Sequence, residues 1–135
     1  MDPEKLKNLN LEQVTLLANI YWGLDENLDL IHPPRTGTWT RQYETTEEES
    51  EFRLDKIWHV FLNAIKSGAF SDKDLYMEIE SDYNNTLKII ARIKEMKKKG
   101  KIDQRLKNEA WELLEKLVKI HLMLSGEEAK RKQTK

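Results

Sequence analysis

Between Leu54 and Ile65 the apolar residues Leu54, Ile57, Trp58, Phe61, Leu62 and Ile65 stand at i, i+3, i+4, i+7, i+8 and i+11. That is the repeat of one face of an α-helix. A half-buried strand would alternate with a period of two, and no stretch of the chain sustains such alternation. The helical period recurs in three further segments. Val14, Leu17, Ala18, Tyr21, Leu24 and Leu28 form one stripe, and Leu75, Ile79, Tyr83, Thr86, Leu87, Ile90 and Ile93 a second. Leu106, Ala110, Leu113, Leu114, Leu117, Ile120 and Leu124 form a third. Four amphipathic helices must bury their apolar stripes against one another, so the fold class is all-α.

Start and stop signals punctuate these stripes. Asn10 with Gln13, and Thr46 with Glu49, are capping-box pairs. Asp2-Pro3-Glu4 can open a short preceding turn, because proline suits the first helical position. Pro33 and Pro34 forbid continuation of the first long helix. Gly68 and Gly100 are stops, since glycine accepts the left-handed conformation past a helix end. Ser71, with Asp74 three residues on, reads as the cap of the third long helix, and the fourth opens near Asp103. Gly126 reads as its stop, leaving 127–135 as a disordered basic tail and 1–126 as a single helical-bundle domain. The second-to-third and third-to-fourth connections are short, which forces antiparallel neighbours. The expected architecture is an antiparallel up-and-down four-helix bundle with one long first connection, 29–45. Connections of that length are functional, disordered or crossovers spanning the bundle.

The chain has 135 residues, which suits one domain with a core of its own. It has no cysteine, which excludes disulfides, thiolate metal sites and a cysteine nucleophile. No apolar run approaches the ~20 residues that span a bilayer, and the first ten residues carry no secretory pattern. The expectation is a cytoplasmic protein with no membrane partner. Abundant Lys, Glu and Ile with few Gly resembles the composition of hyperthermophile proteins, and a virus or mobile element of such a host would place the protein in the host cytoplasm.

Two constellations resemble catalytic motifs. Glu47-Glu48 with Glu51, followed by Glu78 and Asp82, resembles the carboxylate set of the all-α nucleotide pyrophosphohydrolases of the MazG type, which implies magnesium held between helices. Here the second half is Glu-x-x-x-Asp, one residue longer than that family's. Measured from the Gly68–Ser71 turn, Glu51 and Asp82 differ in height by roughly 9 Å at 1.5 Å per residue, too far to share an ion. Arg53 and His59 resemble the R-x4–6-H signature of HEPN ribonucleases, with Leu54 where that family has a polar residue. Six residues along a helix turn the two side chains about 240° apart. His32, His59 and His121 have no metal-ligand spacing, and the five glycines form no phosphate loop. The sequence therefore carries no catalytic, cofactor-binding or metal residues that geometry supports.

Charge is balanced overall, 23 basic residues against 24 acidic, but not locally. From Arg92 to Lys107 eight basic residues stand against Glu95 and Asp103. Of these Lys94, Lys97, Lys98, Lys99, Lys101 and Arg105 are the candidate nucleic-acid contacts, because a focused positive pole neutralises phosphates. In an up-and-down bundle that pole meets the acidic run Glu44–Asp55, and the two satisfy one another. The aromatic residues offer a different surface. Trp58 lies on an inner stripe, whereas Trp22 and Trp111 lie off theirs, as do Met77, Ile89 and Met96. Trp39 and Tyr43 stand in the long connection. An apolar arc wider than the bundle needs implies a second buried face, either against a partner or beneath the long first connection with Trp39 and Tyr43 as its lid. The sequence thus reads as a non-enzymatic protein–protein interaction module, a homodimer or a partner of another protein through Trp22, Trp39, Tyr43 and Trp111. A small nucleic-acid-binding subunit is the alternative.

Overall fold

A computed structural model describes residues 1–29, 46–100 and 103–133, and within them the chain is all-helical. Five helices follow in order: α1 (Pro3–Leu6), α2 (Leu11–Asp29), α3 (Glu47–Lys66), α4 (Lys73–Lys99) and α5 (Gln104–Gln133). Trp39, Tyr43 and Lys101 lie outside the described residues, as does most of the long first connection.

Local chemistry sets most of the helix ends. The Asn10 side chain accepts from Gln13 N while Gln13 Oε1 accepts from Asn10 N, both at 2.8 Å, so two amides without intrahelical partners are satisfied at once. Thr46 Oγ1 caps Glu49 N at 3.2 Å, and Asp103 caps Arg105 and Leu106. Asp2 caps the single turn of α1, with Pro3 at its first position. Gly68 and Gly100 both close their helices with positive φ, at 82° and 65°. One cap moves by a residue: Asp72, not Ser71, accepts from Asp74 N and Leu75 N at 3.0 and 3.1 Å. Either residue type can cap, and Asp72 reaches two amides.

The tail is the larger correction. Gly126 does not end α5, and 127–133 are helical, not disordered. Gly126 has no positive φ, so the left-handed stop that glycine permits is not used there. The physical reason lies in Arg131. Its guanidinium donates to the carbonyls of Leu6 and Leu9, at the end of α1 and in the turn that follows it. Glu127, one turn earlier, holds the same guanidinium at 2.9 Å. The end of α5 is anchored by supplying donors to carbonyls that a helix end leaves unpaired.

The stripes pack largely as the periodicity requires. Leu17, Tyr21, Leu24, Leu54, Phe61, Leu75, Ile79, Ile90, Ile93 and Leu117 are fully buried. α2 makes its most extensive contact with α5 and also packs on α3 and α4. Where α2 meets α3, a Cβ at Gly23 would run into the end of the Ile57 side chain, which would have to shift. Between α3 and α4 an aromatic array fills the interior: Trp58 stacks on Tyr83 at 4.5 Å, and Phe61 stacks on Tyr76 at 5.8 Å. Ile89 and Met96, off the main α4 stripe, are also buried, so they belong to the core rather than to a spare surface. Met77 is exposed.

The two glycines give a paired test. Gly100→Ala places a Cβ at positive φ and should cost about 1 kcal/mol. Gly126→Ala, inside a helix with open space around it, should gain roughly 0.5–1 kcal/mol. Thermal melts read both, and a loss at Gly126 would return it to the role of a helix stop.

Candidate interaction surface

The polar residues buried between α2, α4 and α5 fix how these helices face one another. Asp82 on α4 is fully buried. Its carboxylate accepts from the Tyr21 hydroxyl of α2 at 2.5 Å and from Lys116 Nζ of α5 at 2.7 Å. Burial and then the Asp82 charge push the Tyr21 hydroxyl far above its ordinary range, so it stays a donor. One turn further along α2, Asp25 pairs with His121 Nδ1 at 2.8 Å. Burial raises the Asp25 carboxyl above its usual value, His121 opposes this, and Asp29 and Glu26 add to it. Towards the other end of α2, Thr15 donates to Glu128 and holds that carboxyl below its usual range.

These pairs set an antiparallel register for α2 and α5 and thereby place their outward faces side by side. Trp22, three residues before Asp25, is 53% exposed; Leu122, next to His121, is 62% exposed; Val118, one turn earlier, is 37% exposed. On a helical wheel Trp22 sits about 60° outward from Asp25, and Val118 and Leu122 about 60–100° outward from His121. The three side chains form one apolar strip along the outer α2/α5 face. Trp111, two turns before Val118 on α5, is partly buried and packs against the core. Of the four expected partner-binding residues, Trp22 is exposed, Trp111 is partly core, and Trp39 and Tyr43 lie outside the described residues. Val118 and Leu122 were not anticipated from sequence.

The basic pole is met by the acidic helix start. Lys94 Nζ lies 2.8 Å from Glu48, and Lys97 Nζ 2.5 Å from Glu47. The Lys94 hydrogen bond lowers the Glu48 carboxyl and raises the lysine in return. Arg105 reaches Glu109 at 3.3 Å, and Arg92 pairs with the same carboxylate. Lys98 and Lys99 are exposed at the end of α4.

The motif-like acids are dispersed. Glu47 and Glu48 face lysines of α4, Glu78 pairs with the terminal amine at 2.5 Å, and Asp82 points between α2 and α5. Among the described residues no group of three or more His, Asp or Glu could hold a metal ion. Arg53 turns to Glu49 at 3.9 Å, while His59 turns to the Asp55 carbonyl at 2.8 Å. No described helix is long and apolar enough to cross a membrane. Comparison with protein families, characterised proteins and solved structures found no match to this chain.

Two variants probe this account. Asp82→Ala strips a buried hydroxyl and an ammonium of their shared acceptor, and should cost about 3–5 kcal/mol in a urea titration; a loss under 1 kcal/mol would show that the network is not coupled to folding. Glu47→Gln with Glu48→Gln uncovers the α4 lysines. Fluorescence anisotropy with single-stranded RNA should then show tighter binding and a steeper salt slope than the wild type. Steep binding by the wild type itself would mean that the acids do not mask the pole.

Proposed function

We propose that this protein is a non-enzymatic interaction module that self-associates through the outer face of α2 and α5. The platform in this reading is an antiparallel up-and-down bundle of the four long helices, with α1 clamped beneath the end of α5. The observation that carries it is the strip formed by Trp22, Val118 and Leu122. Single exposed apolar residues are ordinary on a protein surface. Three in register on adjacent helices, one of them a tryptophan, are the composition of an interface core. The ion pairs Glu47–Lys97 and Glu48–Lys94 support a protein partner over a nucleic acid, since much of the positive pole is already opposed within the chain.

The reading is tested by sedimentation velocity at micromolar concentrations. The wild type should sediment as a dimer. Trp22→Ser with Leu122→Glu should weaken association by roughly 30-fold or more, as loss of an anchor worth about 2 kcal/mol requires, without loss of helical circular dichroism. A wild-type monomer at ~100 µM, or a dimer indifferent to both substitutions, would sink the proposal.

A further inference from the structure

α3 and α4 are joined through residues 67–72, and beside that turn lies an open groove of about 420 Å³. Its walls follow from helical spacing. Leu62, Ile65 and Lys66 stand at i, i+3 and i+4 along one side of α3, and Lys73 and Tyr76 at i and i+3 along one side of α4. Phe70 comes from the turn itself, after the left-handed step at Gly68, and is 8% exposed. The wall is mainly apolar and is braced from behind. Phe61 stacks on Tyr76 at 5.8 Å and meets Phe70 at 5.9 Å, and Trp58 lies 6.1 Å from Tyr76. A ligand would meet this surface already formed, with little left to order. Volume and lining both match small-molecule sites, which are mostly apolar with a few placed polar groups.

The cationic groups gather at one end. Lys66 is the last residue of α3 and Lys73 the first of α4, and both are exposed. Among the described residues neither ammonium has an ion-pair or hydrogen-bond partner, whereas Lys94 and Lys97 are met by Glu48 and Glu47. Asp72 is the acid of the wall, and its Oδ1 is taken by the amides of Asp74 and Leu75 at 3.0 and 3.1 Å. A carboxylate held at a helix N-terminus is balanced there by the helix dipole. Ser71, displaced from the cap by Asp72, leaves its hydroxyl at the same rim. Glu80 accepts from the Tyr76 hydroxyl at 3.0 Å, and it stands roughly 10 Å along α4 from Lys73. The lysine stems extend the apolar wall while their charged heads stay in water.

We propose that this groove binds a small amphipathic anion. Its apolar body lies over Leu62, Ile65 and Tyr76, and one carboxylate or sulfonate is held at the rim by Lys66 and Lys73. A neutral ligand would forgo both ammoniums, and a cation would be repelled by them. Leu62 and Lys66 are one turn apart, about 6 Å, so the body that fits is a ring system or a short chain. The groove is distinct from the outer α2/α5 face and does not depend on self-association.

The test uses two dyes: anilinonaphthalene sulfonate, an aromatic body with one anionic group, and phenylnaphthylamine, the same body without it. The sulfonate should saturate the folded protein at one site, with amide NMR shifts centred on Ile65, Lys73 and Tyr76. Lys66→Glu with Lys73→Glu should weaken the sulfonate roughly 10-fold and leave phenylnaphthylamine unchanged. Both side chains are exposed, so helical circular dichroism should be native. Lys66→Gln with Lys73→Gln should act in the same direction by a smaller factor, which keeps the test valid if two reversals disturb the fold. Lys98→Glu with Lys99→Glu, an equal change of charge at the other end of α4, should leave the sulfonate bound as in the wild type. Octanoate should compete with the dye in the wild type. Trp22→Ser with Leu122→Glu should change none of these results, which separates this site from the self-association surface. The proposal fails if the sulfonate does not saturate, or if the Lys66 and Lys73 variants bind it as the wild type does. Shifts centred on Trp22, Val118 and Leu122 would likewise overturn it.

Discussion

Asp82 is the constraint on which the rest of the structure depends. A carboxylate removed from water is costly unless its partners are in place, and truncating one partner of a buried charge is far worse than never having the pair. Asp82 meets that condition only when α2 delivers Tyr21 and α5 delivers Lys116 to the same point. A slip of one residue on α2 would turn Tyr21 through about 100° and carry it away. Leucine and isoleucine stripes tolerate such slips far better, because one methyl group packs much like another. The apolar stripes bring the helices together, and the polar residues between them select one rotation and height. Asp25 with His121 repeats the device one turn along α2.

That division explains what could be read from the chain. Caps are local, and Asn10 with Gln13, Thr46 with Glu49, and the glycine ends at Gly68 and Gly100 were all legible because each depends on residues within four positions. The stop at Gly126 failed for the same reason in reverse. Nothing within a turn of Gly126 reveals that Arg131 will find the carbonyls of Leu6 and Leu9, more than a hundred residues away in sequence. The shift from Ser71 to Asp72 is a competition between two good caps, which a sequence pattern cannot rank.

The surface was legible by halves. Trp22 stood off its stripe and is exposed, as the pattern implied. Ile89 and Met96 stood off theirs and are buried, because α4 packs against neighbours on more than one side and its inward arc is wider than one stripe. Val118 and Leu122 escaped notice because α5 already had a complete inner stripe, and a further apolar pair beside a continuous one reads as part of its width. Only the register fixed by Asp25, His121, Thr15 and Glu128 puts them on the far side, next to Trp22.

The charges complete the argument about which surface remains. A chain with this many ionisable groups could have presented a strong field in any direction, yet its acidic and basic runs are placed at the start of α3 and the end of α4. There each also complements its own helix dipole, acids at an N-terminus and bases at a C-terminus. Antiparallel packing brings those two ends together, so the dipole preference of each helix and the attraction between them act in the same direction. The field of the pole is thereby shortened by its own counter-charges. Among the described residues of the outer face of α2 and α5, an exposed indole and two aliphatic side chains have no charge partner to offset their contact with water. Charge pairing thus explains how the ends of α3 and α4 are matched, while the exposed apolar side chains, Phe52, Val60 and Met77 among them, are left to water.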